Sequence, residues 1–315
     1  LASPGSVAYV MYQKYVQGIP LYRQEKDWER MGILLSRATM ANWVIRCAQD
    51  YLMPIIDFLR RQLLSRDILH VDETPVQVLK EEGRKPQSKS YMWLYRTGKD
   101  GKAPIILFDY QPSRSGEHAA AYLKDFKGYV HSDGYSGYNK LKEITRCGCW
   151  AHLRRKFVEA LPPGKATGGE RSAAETGRAY CDRLFAIEDD LRDLSAEERY
   201  KQRLEREKPV LDAAFWSWLE TVNPLRGSKL AKAVVNAQNQ KPFMENYLLD
   251  GRLSLSNHAA ENAIRPFVAG RKNWLFADTR KGAAASAAVY SLVETARVNG
   301  LEVFSYLQEL LANMT

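Results

Sequence analysis

Residues 68–78 read ILHVDETPVQV. The stretch is β-branched and apolar, which predicts a strand, and Pro75 is its only interruption. Yet Asp72 and Glu73 sit side by side in its middle. An uncompensated charge in a low-dielectric interior costs several kcal/mol. The fold must therefore bring these carboxylates against something that needs them.

The neighbouring text supplies more strands. With 67–78 as the first, SYMWLYRT (90–97), APIILFDY (103–110) and GYVHSD (128–133) follow, and ITRCGCWAH (144–152) is a fifth. EEGRKPQS forms a hairpin link between the first two. SGEHAAAYLKDF is a short helix opened by Ser115. Three antiparallel strands, then a helical crossover to a parallel strand, is the arrangement of a ribonuclease-H-like sheet, an α/β fold with helices flanking a mixed sheet. This core is expected over residues 67–160 and again over 251–298.

Three further regions frame it. Residues 1–66 are helical. IPLYRQEKDWERMG enters at Pro20 and stops at Gly32, and LLSRATMANWVIRCA follows with Ser36 as N-cap. Two short helices around a glycine turn predict a helix-turn-helix-like, DNA-binding region. Arg37 and Asn42, at the start of the second helix, are its candidate base-reading residues. From Tyr12 to Arg66 nine Lys/Arg stand against five Asp/Glu. Residues 161–250 open on the linker PPGKATGGE. They continue as a helical insertion, with Leu184, Ile187, Leu191 and Leu194 at helical spacing. Residues 299–315 form a C-terminal helix.

Both His70-x-Asp72 and His131-x-Asp133 end on aspartate. In such a sheet the first and fourth strands are neighbours about 4.8 Å apart. Asp72 and Asp133 at matching depth would share one small volume, which favours a cation between them. Oxygen ligands of this kind suit Mg²⁺, with Mn²⁺ as the alternative. A third carboxylate should come from a later helix. Glu261, in the first turns of a helix opened by Ser256-Asn257, is better placed than Glu294, which sits in the alanine-rich GAAASAAVYSLVETARVNG. Arg265 lies one turn from Glu261. Five Lys/Arg and one Asp follow between Arg265 and Lys281, so Arg265, Arg271 and Lys272 are candidate phosphate contacts.

Composition agrees with a polyanionic partner. The 315 residues carry a formal net charge of +9, with 46 Lys+Arg against 37 Asp+Glu. That excess favours nucleic acid over membrane. Four cysteines make no disulfide framework, which points to a reducing compartment. No apolar run approaches the roughly 18 residues of a membrane span, and no signal-peptide pattern opens the sequence. The chain begins at Leu1 and not at Met, so an upstream segment is expected.

VDETP, SDGYSGY, CGCWAHLRRKF and ENAIRPFVAGRKNWLF together resemble the motifs of the IS66 family of bacterial insertion-sequence transposases. The resemblance extends from LYRQEKDWERMGILLSRATMANWV to YSLVETARVNG, nearly the whole chain. It implies a DDE enzyme with Asp72, Asp133 and Glu261 as catalytic metal ligands. The chain departs from the family pattern at Asn262, where Arg is usual. The family's N-terminal extension with its metal-binding segment is not among the 315 residues. The resemblance also implies double-stranded DNA partners, both element ends and target, and a homodimer on DNA. Accessory proteins encoded by the element and a bacterial cytoplasmic, nucleoid-associated location are implied as well. Two ions about 3.5–4 Å apart would clamp the scissile phosphate for cleavage and then strand transfer. No GxxxxGK[ST] loop is present, in keeping with transesterification that needs no ATP. Two other readings stay open: a ribonuclease-H-like nuclease or resolvase that does not join strands, and a catalytically inactive DNA-binding protein.

Supporting residues have two readings each. Glu73 should point to the opposite strand face from Asp72 and make a salt bridge. His70 and His131 share faces with the aspartates, as phosphate contacts or as buried hydrogen-bonded side chains. Cys147, Cys149 and His152 offer three ligands to zinc, the two cysteines on one strand face. Cys149 and His152 also resemble a C-x-x-H motif that supports the site in several DDE superfamilies. Arg154 and Arg155 beside them suit phosphate contact or a solvated face. Trp216 and Trp218 suit base stacking or a helical core.

Overall fold

A computed structural model describes residues 2–162 and 171–314. Most of the PPGKATGGE segment lies outside the described residues. Four helices come first: α1 (Pro4–Tyr15), α2 (Leu21–Arg30), α3 (Arg37–Cys47) and α4 (Met53–Leu64), with a π-helical turn joining the last two. Pro20 enters α2 as expected, and Gly32 ends the turn after it at φ +78°. The Ser36 side chain accepts the Thr39 N–H and caps α3, which leaves one fewer unpaired donor at that helix start.

The mixed sheet is built from β1 (Ile68–Lys80), β2 (Lys89–Thr97), β3 (Ile106–Gln111), β4 (Gly128–His131) and β5 (Ile144–Cys147). Its order is β3-β2-β1-β4-β5. β1 to β3 are antiparallel neighbours, and β4 and β5 run parallel to β1. Helix α5 (Gly116–Tyr122), capped by Ser115, makes the crossover from β3 to β4. A short sixth strand, β6 (Phe276–Thr279), pairs in parallel with the far end of β1.

β1 thus has two partners on one side, with a gap between them. β4 pairs with residues 68–70 and β6 with 77–80. Across 71–76 that side carries no strand. This is why Pro75 is tolerated inside a central strand, since its missing N–H costs no ladder bond there. Side chains at the N-cap and in the last turn of the later helix His258–Trp274 cover the gap: Asn257 Nδ2 donates to Val71 O at 2.8 Å, and the Arg271 guanidinium donates to Pro75 O.

The fifth strand is shorter than its sequence suggested. It stops at Cys147, and α6 (Trp150–Glu159) begins three residues later with Cys149 as its N-cap. Cys147 and Cys149 therefore do not share a strand face. Beyond Cys147 the backbone leaves the sheet, with the Gly148 N–H donating to Phe243 O at 2.9 Å and the Trp150 N–H to Leu255 O at 3.1 Å. The third strand likewise starts at Ile106 rather than 103.

Helices α7 (Ala173–Asp190), α8 (Ala196–Arg206), α9 (Ser217–Thr221) and α10 (Lys229–Met244) come next, followed by α11 (His258–Trp274), α12 (Arg280–Val298) and α13 (Val303–Ala312). One core joins β1–β3 to α1, α3, α4, α11, α12 and α13. α12 covers the edge strand: Ser291 Oγ accepts the Phe108 N–H and Thr295 Oγ1 the Ile106 N–H, so the open edge is not free to pair with another chain. A second core packs Ile68, Cys147, Trp150, Leu153 and Phe157 against α7, α10 and Phe215. Trp216 is buried and Trp218 half-buried in this aromatic cluster, so both are core residues.

Candidate active site

Asp72 sits on β1 at the start of the gap. Its Oδ1 accepts the N–H of Glu73 at 2.9 Å. Burial, then Glu73, Asp133 and Glu261 nearby, push its carboxyl up to about 8. Four acidic side chains thus act on one small region, and the low dielectric makes their repulsion count.

Glu73 turns to the other face, as strand alternation requires. Its carboxylate takes Arg114 Nη2 at 2.6 Å and the Tyr138 hydroxyl. Gly116 and Gly137 help to place that tyrosine: a Cβ on Gly116 would lie 2.1 Å from Gly137 O, so α5 and the loop after β4 touch backbone to backbone.

Asp133 lies two residues beyond the end of β4. The pairing of His70 with His131 sets it at the depth of Asp72. Its Oδ1 accepts the Tyr135 N–H at 2.9 Å. Arg146 braces this turn from β5, donating to Ser132 Oγ, to Asp133 O and to Gln240 Oε1 of α10. Sequence reading missed Arg146 and Gln240. A buried arginine on a strand is the signal that could have found the first; nothing in the sequence marks the second.

Glu261 occupies the first turn of α11, 17% exposed. Its Oε1 is 3.5 Å from His152 Nδ1 and its Oε2 3.9 Å from Arg155 Nη2. No ion pair joins it to Arg265, which is exposed on the same helix. Asn257 fixes the start of α11, but by tertiary contact and not as a side-chain cap. Its Oδ1 meets His70 Nδ1 at 3.1 Å, its Nδ2 holds Val71 O, and its N–H donates to Cys149 Sγ at 3.2 Å. One asparagine therefore ties β1, α6 and α11 together.

His70 and His131 stack, centroids 4.4 Å apart. Burial pushes His70 down to about 4 and holds His131 well below its usual range. Both are neutral packing groups at physiological pH. His131 Nε2 faces the Ser254 N–H.

Cys149, His152 and Glu261 converge, with one ligand atom from each lying within 4.8 Å of the others. Cys147, the third zinc candidate from sequence, is buried at the end of β5 and takes no part in this group. A cleft of about 260 Å³ opens here, lined by Asp133, Cys149, His152, Lys156, Asn236 and Gln240. Among the candidate DNA contacts, Arg154 pairs with Asp182 at 2.5 Å. Arg271 spends its guanidinium on Thr74 and Pro75. Lys272, Arg37 and Asn42 are exposed, and the Arg37 guanidinium lies 5.7 Å from the Tyr22 ring centroid.

Among the described residues no helix is long and apolar enough to cross a membrane. No solved structure matches the chain. Two curated relatives are proteins of Sinorhizobium fredii (strain NBRC 101917 / NGR234). Uncharacterized protein y4qI is 30% identical over 98% of this chain and 59% of its own length. Uncharacterized protein y4hP is 31% identical over 99% of this chain and 59% of its own length. The chain thus spans about three-fifths of the length of these relatives. A sequence model described as "Transposase IS66 family" matches residues 1–285, a span that takes in VDETP, SDGYSGY, the C-x-x-H of α6 and the Glu261 helix. By that match the chain belongs to the IS66 transposase family.

Proposed function

We propose that this chain carries the catalytic core of a DDE transposase, which cuts DNA at the ends of an insertion sequence and joins them to target DNA. The observation that carries the reading is the setting of Asp72. It is a carboxyl on a central strand, at a gap in the sheet, raised by burial and by three other acids. Such a cost is retained where a cation and a phosphate use it.

The donor chemistry suits a hard divalent ion, although the three carboxylates do not all lie within 4.8 Å of one another here, and Glu261 is grouped instead with Cys149 and His152. Asp72, Asp133 and Glu261 would supply carboxylate oxygens to it. Bound Mg²⁺ (or Mn²⁺) supplies Lewis acidity for the nucleophile and neutralises charge on the scissile phosphate. The chain's own residues do the positioning. Arg146 holds the Asp133 turn, Asn257 holds the first turn of α11 against β1, and Arg114 with Tyr138 keeps Glu73 on the far face. The sheet order β3-β2-β1-β4-β5 supports a ribonuclease-H-like core, with α7–α10 as a helical insertion between Asp133 and Glu261. Gln240 on α10 links that insertion to the Asp133 turn. Arg155, Lys272, Arg37 and Asn42 would meet DNA, as phosphate contacts in the first two cases and base readers in the others. A homodimer that pairs two element ends is the simplest closed assembly, and accessory proteins of the element would join it.

Labelled element ends, Mg²⁺ and a target plasmid test this directly. Joined products that disappear with Asp133→Asn support the transposase. Cleavage without joining would favour a nuclease or resolvase. Binding without cleavage would favour an inactive DNA-binding protein.

A further inference from the structure

Cys149, His152 and Glu261 come from the N-cap of α6, the first turn of α6 and the first turn of α11. Cys149 is 4% exposed. His152 Nδ1 and Glu261 Oε1 face each other at 3.5 Å, and neither atom has a hydrogen-bond partner or solvent surface. Two buried polar atoms left unsatisfied beside a thiol call for an explanation. The mix of sulfur, imidazole nitrogen and one carboxylate oxygen is wrong for Mg²⁺, which takes oxygen ligands. It is right for a softer ion. Zinc bonds of about 2.0–2.3 Å in a tetrahedral site set ligand pairs roughly 3.3–3.8 Å apart, and the three donor atoms here lie within 4.8 Å of one another, so a side-chain adjustment on the order of 1 Å closes the set. Three protein ligands leave a fourth position for water, and the cleft beside Cys149 and His152 gives access to it.

We propose that Cys149, His152 and Glu261 form a site for a thiophilic divalent ion, zinc by its chemistry, and that filling it locks Glu261 in the orientation seen here, away from a shared ion with Asp72 and Asp133. Binding releases the Cys149 thiol proton to solvent, since the thiolate is the ligand. His152 Nδ1 and Glu261 Oε1 each gain a partner. With Glu261 fixed on Cys149 and His152, it is not free to turn to an ion held by Asp72 and Asp133, so zinc is an inhibitor competitive with Mg²⁺. The site itself stands on geometry; its inhibitory effect rests on the proposed transposase reading.

Cobalt(II) is the probe, titrated into the full 315-residue chain. The expected result is an intense near-ultraviolet thiolate-to-cobalt band that zinc abolishes and millimolar Mg²⁺ does not. Cys149→Ser should lose the band. His152→Gln should weaken cobalt binding at least ~100-fold, more than the ~10–100-fold typical of losing an outer-shell partner. Cys47→Ser, a half-buried thiol on α3, should keep both. No band in the wild type, or a band that survives Cys149→Ser, overturns the site. Should Cys149→Ser not fold, undiminished cobalt affinity in His152→Gln does so instead. In the cleavage assay, zinc should inhibit the wild type. His152→Gln, measured against its own zinc-free rate, should need ~100-fold more. Cobalt binding without zinc inhibition of an active enzyme overturns the silencing. A chain that never cleaves with Mg²⁺ refutes the transposase reading while the cobalt titration still decides the site.

Discussion

Asp72→Asn should make the metal-free protein more stable, and by an amount that grows with pH. The asparagine copies the shape of a protonated carboxyl but cannot ionise. In the folded chain Asp72 holds its proton up to about pH 8, against an ordinary value of 3.8. An acid whose folded value is raised stabilises the fold only at low pH. That contribution is whole below about 3.8 and is lost as pH climbs toward 8, because the unfolded chain releases the proton first. From 3.8 to neutrality is roughly three pH units at about 1.4 kcal/mol each, or about 4 kcal/mol at pH 7. At roughly 2.1 cal/mol/K of unfolding entropy per residue, the 315-residue chain shifts by about 1.5 °C per kcal/mol, so the melting point rises by roughly 6 °C. The assay is urea and thermal unfolding of wild type and variant in EDTA at pH 5, 6, 7 and 8. The gap should widen by about 1.4 kcal/mol per unit from pH 5 to 7, by less from 7 to 8, where Asp72 begins to ionise in the folded chain, and should narrow when Mg²⁺ is added to the wild type. A variant no more stable than wild type at pH 7, or a gap independent of pH, would refute the placement of Asp72 among half-buried acids.

Glu261→Gln should abolish cleavage and leave DNA affinity within about twofold, because one charge fewer on the site changes few phosphate contacts. Glu294→Gln should cleave normally, since Glu294 is buried on α12 and paired with Arg297 at 2.7 Å; the reverse pattern in a gel-based cleavage assay would reassign the third ligand. DNA affinity should fall steeply with salt through counterion release. Lys272→Glu should flatten that slope without changing the melting point, whereas Arg271→Glu should also lower the melting point, because Arg271 caps Pro75 O. Phe215→Ala should cost about 3–5 kcal/mol in urea unfolding. Phe215 is fully buried with its ring 5.2 Å from Trp150, and a loss under 1 kcal/mol would mean that α7–α10 are not packed on the sheet side as described. For the same reason excising those helices should yield insoluble protein, as it would bare Trp150, Leu153 and Phe157.

Much of this was legible along the chain because the signals are local. The capping serines at 36 and 115, the glycine turn at 32 and the alternation of 68–78 each act within a few residues. Where reading failed, a distant contact decided. ITRCGCWAH looks like one strand until Phe243 and Leu255 take the Gly148 and Trp150 N–H groups. Asn257 looks like a helix cap until His70 and Val71 claim its side chain. Arg271 looks like a free cation until the gap beside β1 absorbs it.

The sequence by itself determined most of the elements, though not β6 or where the third strand begins and the fifth strand ends, along with the mixed α/β class and the family. It also singled out Asp72, Asp133 and Glu261, since charged residues in apolar settings stand out without coordinates. Only the tertiary structure decided what each of them meets. Glu261 faces His152 and Arg155 rather than Arg265, and it joins Cys149 while Cys147 is left in the core. Side chains brought together from residues 149, 152 and 261 depend on how α6 and α11 dock against β1, and that docking is fixed by packing and by Asn257, not by spacing along the chain.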